Sequence, residues 1–278
     1  MLPPVARRFV AGETAAEAFE RAAANDRRGV GTIINRLGEH YRDRASADAD
    51  AAAYRTLVRD AATTDLPVCV SVKPSQVGLA VDEATFHELV DDVAAAAADA
   101  GVFLWLDMEG HESTDATLDA YERLARRHGG GVGVCVQANL RRTRADLERL
   151  AGLPGKVRLV KGAYDEPPAL AHRDRAAVDR NYRTCLAYAF RAFEGSIAVG
   201  SHDPRMLSLA EQLHERYGTP YEVQMLMGVR EDAQYALARD RPVWQYVPYG
   251  PAWLAYFGRR VAERRENLAF ALRAVLRG

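Results

Sequence analysis

The chain has 278 residues and a formal net charge of −1, with 37 basic and 38 acidic side chains. This balance excludes the strong basic excess of a general nucleic-acid binder, and the length is about that of one α/β barrel. The three cysteines are an odd number with no CxxC pair, which argues against a disulfide framework or a zinc site. The opening residues lack the apolar core of a signal peptide, and no run reaches the length of a membrane span. We therefore expect a cytoplasmic protein, with a peripheral contact at the inner face of the membrane left open.

A helical pattern over residues 14–24 comes first in the chain, and eight short apolar runs follow it. These runs are rich in Val, Ile, Leu and aromatic residues, which is typical of buried parallel strands. They cover residues 31–37, 68–72, 103–107, 133–137, 157–161, 197–200, 222–225 and 243–247. Amphipathic stretches predict helices over residues 48–63, 83–99, 114–128, 141–150, 173–193, 204–217, 230–239 and 251–276.

Eight strands that each precede a helix predict an α/β fold, a (β/α)₈ barrel of the TIM type. We expect one domain over residues 1–278, with an extra N-terminal helix and a final helix packed over the barrel mouth. A doubly wound open sheet is the competing fold. It is disfavoured because no GxGxxG motif follows the first strand, and the glycines at 129–131 precede a strand instead of opening a helix.

Polar side chains lie at the ends of seven predicted strands, where barrel enzymes carry their active sites. They are Lys73, Asp107 with Met108 and Glu109, Gln137 with Asn139, Arg158 with Lys161, Ser201 with His202, Glu222 with Gln224, and Gln245 with Tyr246. Each has a simpler interpretation by itself: Gln137 could satisfy backbone groups, and His202 could cap a helix or lie on the surface. Together they favour a site at one mouth of the barrel.

The last predicted helix carries a second polar group of residues. Tyr256, Arg259, Arg260 and Glu263 are spaced i, i+3, i+4 and i+7, which predicts one helix face. Adjacent guanidinium groups suit the capture of a carboxylate or phosphate. A solvated basic face is the alternative, because two further arginines follow at 264 and 265.

Asp107, Glu109 and His111 have the residue types of a metal site. We expect no metal there, because no second histidine joins them in sequence and His111 falls in the predicted loop.

These motifs resemble those of the proline dehydrogenases over nearly the whole chain. The segments that carry the resemblance are 7–12, 36–39, 71–75, 106–109, 136–138, 158–164, 201–202, 221–228, 246–250 and 256–263. Two of them are the most specific: Arg158-Leu-Val-Lys161-Gly-Ala-Tyr164, and Tyr256-Phe-Gly-Arg259-Arg260-Val-Ala-Glu263. The resemblance implies FAD as cofactor, L-proline as substrate, 1-pyrroline-5-carboxylate as product and a quinone as electron acceptor.

The resemblance also implies roles for individual residues on the substrate side. Arg259, Arg260 and Lys73 would bind the proline carboxylate, and Glu263 would orient the two arginines. Tyr246 and Tyr256 would pack on the proline ring, with Leu226 as an apolar wall. Asp107 would shape the charge balance when the amine loses its proton.

On the flavin side, the resemblance implies that Arg158 lies near the flavin N5. Met108 and Gln137 would line the isoalloxazine, and Lys161, Gly162 and Ala163 would meet the ribityl and phosphate region. Ser201 and His202 would bind the pyrophosphate or adenine end. Three positions differ from the family pattern. Ser201 replaces the usual threonine and keeps its hydroxyl, so we expect little change there. Asn139 replaces the usual aromatic residue and Asp165 a bulkier one, and both of these bear on the packing of the flavin.

Two other functions stay open from the residues alone. A Schiff-base aldolase could use Lys73 or Lys161 as its nucleophile. A barrel without catalytic activity could serve as an interaction module.

Overall fold

The computed structural model describes residues 2–254 and 256–258 of the chain. Eight parallel strands form a closed barrel in sequence order, and the last strand pairs with the first. The strands are β1 (Gly31–Arg36), β2 (Val68–Val72), β3 (Leu104–Leu106), β4 (Val132–Gln137), β5 (Lys156–Val160), β6 (Ile197–Gly200), β7 (Tyr221–Leu226) and β8 (Val243–Tyr249). The predicted (β/α)₈ barrel is therefore confirmed.

Helices separate the strands as expected. They are α1 (Ala15–Asp26), α2 (Arg44–Ala62), α3 (Glu83–Ala100), α4 (Thr114–His128), α5 (Thr143–Leu150), α6 (Arg175–Ala192), α7 (Pro204–Tyr217) and α8 (Glu231–Leu237). Short 3₁₀ turns cover Ala6–Arg8, Pro74–Gln76 and His111–Ser113. No helix in the described part of the chain is long and apolar enough to cross a membrane.

Helix α2 begins four residues before the predicted start at residue 48. The Asp43 side chain accepts a hydrogen bond from the backbone N–H of Ser46 at 2.8 Å and so caps the first turn. The prediction followed the alanine-rich part of the helix and missed this polar cap.

Helix α1, which precedes the barrel, packs against both β1 and β8. A capping box between Thr14 and Glu17 starts it. In a regular barrel the helix after β8 covers this junction. In this chain α1 occupies the junction, and the sequence predicts a final helix over the barrel mouth instead. Most of that predicted helix, 251–276, lies outside the described residues.

The N-terminal segment packs near the carboxyl ends of the strands. Its apolar side chains form a small cluster with Leu37, after β1, and with Tyr256, after β8. The Arg8 carbonyl approaches Gly228 so closely that a Cβ there would overlap it, and Gly228 has a φ of +78°. The chain start and the segment after β8 therefore lie together beside the barrel mouth.

Candidate active site

The strands alternate between two environments. Side chains such as Ile34, Leu106 and Leu159 belong to the main core, which lies between the barrel and its helices. The intervening positions form a separate inner cluster of Ile33, Cys69, Trp105 and Ala198, with Tyr246 packed against it. The charged residues of the strand ends continue this inner set toward the barrel mouth.

Asp107, directly after β3, is the centre of the mouth. The Ser71 hydroxyl donates a hydrogen bond to its Oδ1 at 2.7 Å, and the Tyr246 hydroxyl donates to its Oδ2 at 2.6 Å. Arg158 forms an ion pair with Oδ1, and the Lys73 Nζ lies 3.6 Å from Oδ2. One buried carboxylate, 6% exposed, thus joins side chains from β2, β5 and β8.

The charges in this cluster set the protonation of its members. Burial alone would raise the pKa of the Asp107 carboxyl, but Arg158 and Lys73 lower that pKa below its ordinary value. Burial alone would lower the pKa of Lys73, and the Asp107 charge raises it above its ordinary value. Burial, and then the Asp107 charge, raise the pKa of the Tyr246 phenol. The cluster around Asp107 therefore combines this carboxylate with two cations and a neutral phenol at neutral pH. Glu109 and Glu39 also raise the pKa of Lys73.

Arg158 is held from several sides on the inner face of β5. Its Nη1 donates to the Gln224 side-chain oxygen at 3.1 Å, and its guanidinium lies 4.9 Å from the centre of the Trp105 ring. Burial alone would lower the pKa of Arg158, and Asp107 raises it above its ordinary value. The cation is therefore permanent and fixed in position at the centre of the barrel.

Asp107, Glu109 and His111 make three separate sets of contacts. Glu109 accepts hydrogen bonds from the Ser75 N–H and hydroxyl, both at 2.7 Å. His111 Nδ1 lies 2.6 Å from the Glu166 carboxylate. Their ligand atoms do not converge on one point, and the metal interpretation gains no support from this geometry.

Gln137 and Met108 are both buried near the end of β4. The Gln137 amide donates to the Glu109 carbonyl at 2.7 Å, which is the backbone role considered from the sequence. Met108 packs within the main core cluster.

The loop after β5 lies at the same end of the barrel. Lys161 Nζ forms ion pairs with Asp179 at 2.5 Å and Asp203 at 2.9 Å. Ala163 is exposed. Gly162 has a φ of +105° and packs so tightly on the Asn139 amide that a Cβ would overlap it. Asn139 Oδ1 is buried and accepts no hydrogen bond within the described residues.

Ser201 and His202 follow β6 beside this loop. The Ser201 hydroxyl accepts a hydrogen bond from the Asp203 N–H at 3.2 Å, and Asp203 caps helix α7. His202 Nε2 accepts a hydrogen bond from the Leu226 N–H at 2.8 Å. His202 therefore connects the ends of β6 and β7, and neither alternative from the sequence, a helix cap or a surface histidine, describes it.

The residues assigned to the substrate side fall into three groups. Leu226 and Tyr246 are register partners across β7 and β8, and the Tyr246 hydroxyl reaches Asp107. Tyr256 is buried in the small cluster beside the mouth, with Leu37 and the N-terminal segment. Arg259, Arg260 and Glu263 lie outside the described residues.

Sequence reasoning missed contacts that complete the mouth. Ser71 lies two positions before Lys73, and Trp105 lies two positions before Asp107. Because alternate residues of a strand face the same side, a period-two search backward from Lys73 and Asp107 would have found both.

A closed (β/α)₈ barrel with an ion-pair cluster at the carboxyl ends of its strands has the architecture of a barrel enzyme. A family model described as proline dehydrogenase matches residues 18–273. The proline dehydrogenase of Deinococcus radiodurans is 35% identical over 284 residues, which cover 99% of this chain and 91% of that protein. Proline dehydrogenase 1 of Bacillus subtilis is 31% identical over 277 residues, covering 98% of this chain and 91% of that protein. The chain belongs to the proline dehydrogenase family.

A solved structure gives the same fold. Proline utilization A from Bdellovibrio bacteriovorus, inactivated by N-propargylglycine, has a TM-score of 0.83 at 24% identity. The alignment covers 92% of this chain but 32% of that longer chain, so it supports the barrel alone. The family match supports proline dehydrogenase activity, the first step of proline catabolism, which makes the protein an oxidoreductase.

The aldolase alternative finds no support in the mouth. The Asp107 charge raises the pKa of Lys73, which favours the ammonium form, and an ammonium cannot act as a nucleophile. Lys161 is held between two carboxylates.

Proposed function

We propose that the chain oxidises L-proline to 1-pyrroline-5-carboxylate with FAD as cofactor, and that the electrons pass to a quinone. The observation that carries this proposal is the convergence of Lys73, Arg158 and Tyr246 on the buried carboxylate of Asp107. The cations Lys73 and Arg158 suit the proline carboxylate and a developing negative charge on a neighbouring acceptor. Glu109 and Glu39 also act on Lys73 and raise its pKa. When bound, FAD would supply the hydride-accepting chemistry for this oxidation, at its N5 atom.

The loop after β5 fits the ribityl and phosphate region of such a cofactor. Gly162 adopts a backbone conformation that L side chains rarely adopt, so its backbone can approach a ligand closely. The buried Asn139 Oδ1, which accepts no hydrogen bond within the described residues, offers an acceptor beside it. We infer that Lys161, Gly162 and Ala163 bind this region, that Ser201 and His202 bind the pyrophosphate or adenine end, and that Met108 and Gln137 line the isoalloxazine.

The substrate side follows from the charges. We assign Lys73, with Arg259 and Arg260, to the carboxylate of proline, and Glu263 to the orientation of the two arginines. Tyr246, Tyr256 and Leu226 would cover the ring and exclude water. Positioning of this kind holds the ring carbon next to nitrogen against the acceptor, which lowers the entropic barrier to the reaction.

Asp107 and Arg158 act on the reacting charges. Arg158 supplies a fixed cation for the negative charge that accumulates on the electron acceptor. Asp107 holds Lys73, Arg158 and the Tyr246 hydroxyl in one arrangement, and its negative charge offsets theirs when the substrate amine loses its proton.

The absorbance spectrum of the purified protein tests this proposal. We expect flavin bands that bleach when L-proline is added without oxygen, and that return on addition of a water-soluble quinone analogue. Heat denaturation should release FAD and not FMN, because the assigned site includes the adenine end. A colourless protein that cannot be reconstituted with FAD would contradict the proposal, as would bound flavin that proline does not bleach.

A further inference from the structure

Below Asp107, a chain of four polar side chains runs through the inside of the barrel. Lys156 Nζ forms an ion pair with Glu222 Oε2 at 2.6 Å, and Glu222 Oε1 accepts a hydrogen bond from the Gln224 amide at 2.7 Å. Gln224 Oε1 in turn accepts from Arg158 Nη1 at 3.1 Å. Each link therefore joins β5 to β7 or two neighbouring inward positions of β7.

This hydrogen-bonded series begins at a partly exposed lysine, and its other three members are buried. Lys156 begins β5, and its side chain is 29% exposed at the amino end of the barrel. Glu222 and Gln224 are each 4% exposed. Polar groups this deep in a barrel are costly unless each has a partner, and every one of these has a partner in this chain.

The carboxylate of Glu222 decides which way the Gln224 amide points. An ionised carboxylate can only accept hydrogen bonds, so the amide must turn its NH₂ toward Glu222. Its oxygen then faces Arg158, which can only donate. If the amide were reversed, its NH₂ would face the guanidinium, donor against donor, and its oxygen would face the Glu222 carboxylate, acceptor against acceptor. Both buried hydrogen bonds would then be lost.

Gln224 matters to Arg158 because it accepts from Nη1, whereas the Asp107 ion pair and the 3.5 Å contact with the Ser71 hydroxyl both involve Nη2. Asp107 accepts from one terminal nitrogen, and Gln224 accepts from the other. These two acceptors come from opposite parts of the barrel, β3 and β7, and together they define the direction of the guanidinium plane. Without Gln224, the Nη1 side would lose this acceptor, and the contacts with Asp107, Ser71 and the Trp105 ring would be left to hold the guanidinium.

We propose that Glu222 and Gln224 are positioning residues of the reaction: Glu222 orients the Gln224 amide, and that amide holds the Arg158 cation in its place at the barrel mouth. The inference rests on the proposed function in one respect, the role of Arg158 beside the electron acceptor. Glu222, which is two hydrogen bonds away from the Arg158 guanidinium, thereby influences the electrostatics of electron transfer.

Two variants break the chain at different links. Gln224→Met removes the acceptor for Arg158 without changing any charge, and Glu222→Gln removes the group that orients the amide. The matched control is Glu211→Gln, which breaks an ion pair with Arg241 on the outside of the barrel. Each protein is loaded with FAD and examined for the rate of anaerobic flavin reduction at saturating proline, and for its flavin midpoint potential without substrate.

We expect both barrel variants to slow flavin reduction about tenfold, the effect of one hydrogen bond to a charged group. Gln224→Met should also lower the midpoint potential, because a displaced cation stabilises reduced flavin less. Neither substitution should slow reduction further in an Arg158→Met background, since residues that act through one partner are not additive. Glu211→Gln should match the unmodified protein in rate and potential.

The same measurements can overturn the inference. The inference is wrong if the substitutions slow flavin reduction equally in the unmodified and the Arg158→Met backgrounds. It is also wrong if Gln224→Met leaves the flavin midpoint potential unchanged. Glu222 and Gln224 would then have structural roles only. If Glu222→Gln does not fold, Gln224→Met decides the question. Failure of the proposed function has a different signature: the unmodified protein would bind no flavin or would not be reduced by proline.

Discussion

The two faces of the barrel strands contrast in composition and in what they do. The outer face, with Leu106 and Leu159, is apolar and completely buried against the helices. The inner face, offset by one residue, carries Asp107 and Arg158. Residues that are neighbours in sequence therefore have different roles. Outer residues stabilise the fold by hydrophobic burial, and inner residues carry charges whose burial alone would be unfavourable.

The inner face tolerates its charges because their signs alternate. Lys156, Glu222, Arg158, Asp107 and Lys73 follow one another from the amino end of the barrel to the mouth. Removal of one member should disturb the arrangement of its neighbours more than the packing of the barrel. Paired substitutions at adjacent residues on opposite faces separate these effects.

The largest effect is expected from Arg158→Met on the inner face. The substitution keeps much of the side-chain volume and removes the fixed cation, so flavin reduction by proline should slow by about a hundredfold to a thousandfold. FAD should remain bound, because the contacts assigned to its phosphates lie elsewhere. Rapid-mixing measurements without oxygen give the rate constant directly. A normal rate would remove Arg158 from the reaction and leave it a structural ion pair.

Leu159→Ala, one residue further along β5, should lower stability and leave the rate of flavin reduction nearly unchanged. The side chain is fully buried on the outer face, so its truncation should lower the free energy of unfolding by about 2–5 kcal/mol. Flavin reduction by the folded protein should stay within about twofold of normal. Urea denaturation of the flavin-free protein measures the first quantity.

Leu170→Ala is the control for this prediction, since Leu170 is 44% exposed and should change stability by less than about 0.5 kcal/mol. A large loss of activity in folded Leu159→Ala would show that the two faces are not independent.

The sequence predicted the outer face better than the inner face. The runs at 197–200, 114–128 and 204–217 coincide with β6, α4 and α7, because apolar periodicity and turn residues are local signals. The polar strand ends were also predicted, since each follows an apolar run directly. The contacts between these strand ends were not predicted. Tyr246 and Asp107 are 139 positions apart in sequence, and their hydrogen bond depends on the closure of the barrel.

Stagger between strands explains the remaining differences. Strand β3 has three residues, two fewer than the predicted run at 103–107, and Asp107 lies just beyond its end. Which inward side chains share a level depends on the register of all eight strands, and no single segment encodes that register. The link from Glu222 through Gln224 to Arg158 therefore becomes visible only in the folded barrel.

The smallest effect is expected from a substitution of Asn139, a buried polar residue at the edge of the site. Its Oδ1 is buried without a hydrogen-bond donor among the described residues, next to Gly162. If the cofactor supplies that donor, Asn139→Ala should weaken FAD binding about fivefold, the value of one neutral hydrogen bond. Quenching of flavin fluorescence in a titration of the flavin-free protein measures this affinity. The rate at saturating FAD should be unchanged, because Asn139 makes no contact with the Asp107 cluster. Equal or tighter FAD binding by the variant would show that Asn139 only packs on Gly162. Its buried oxygen would then lack a hydrogen-bond donor from FAD as well.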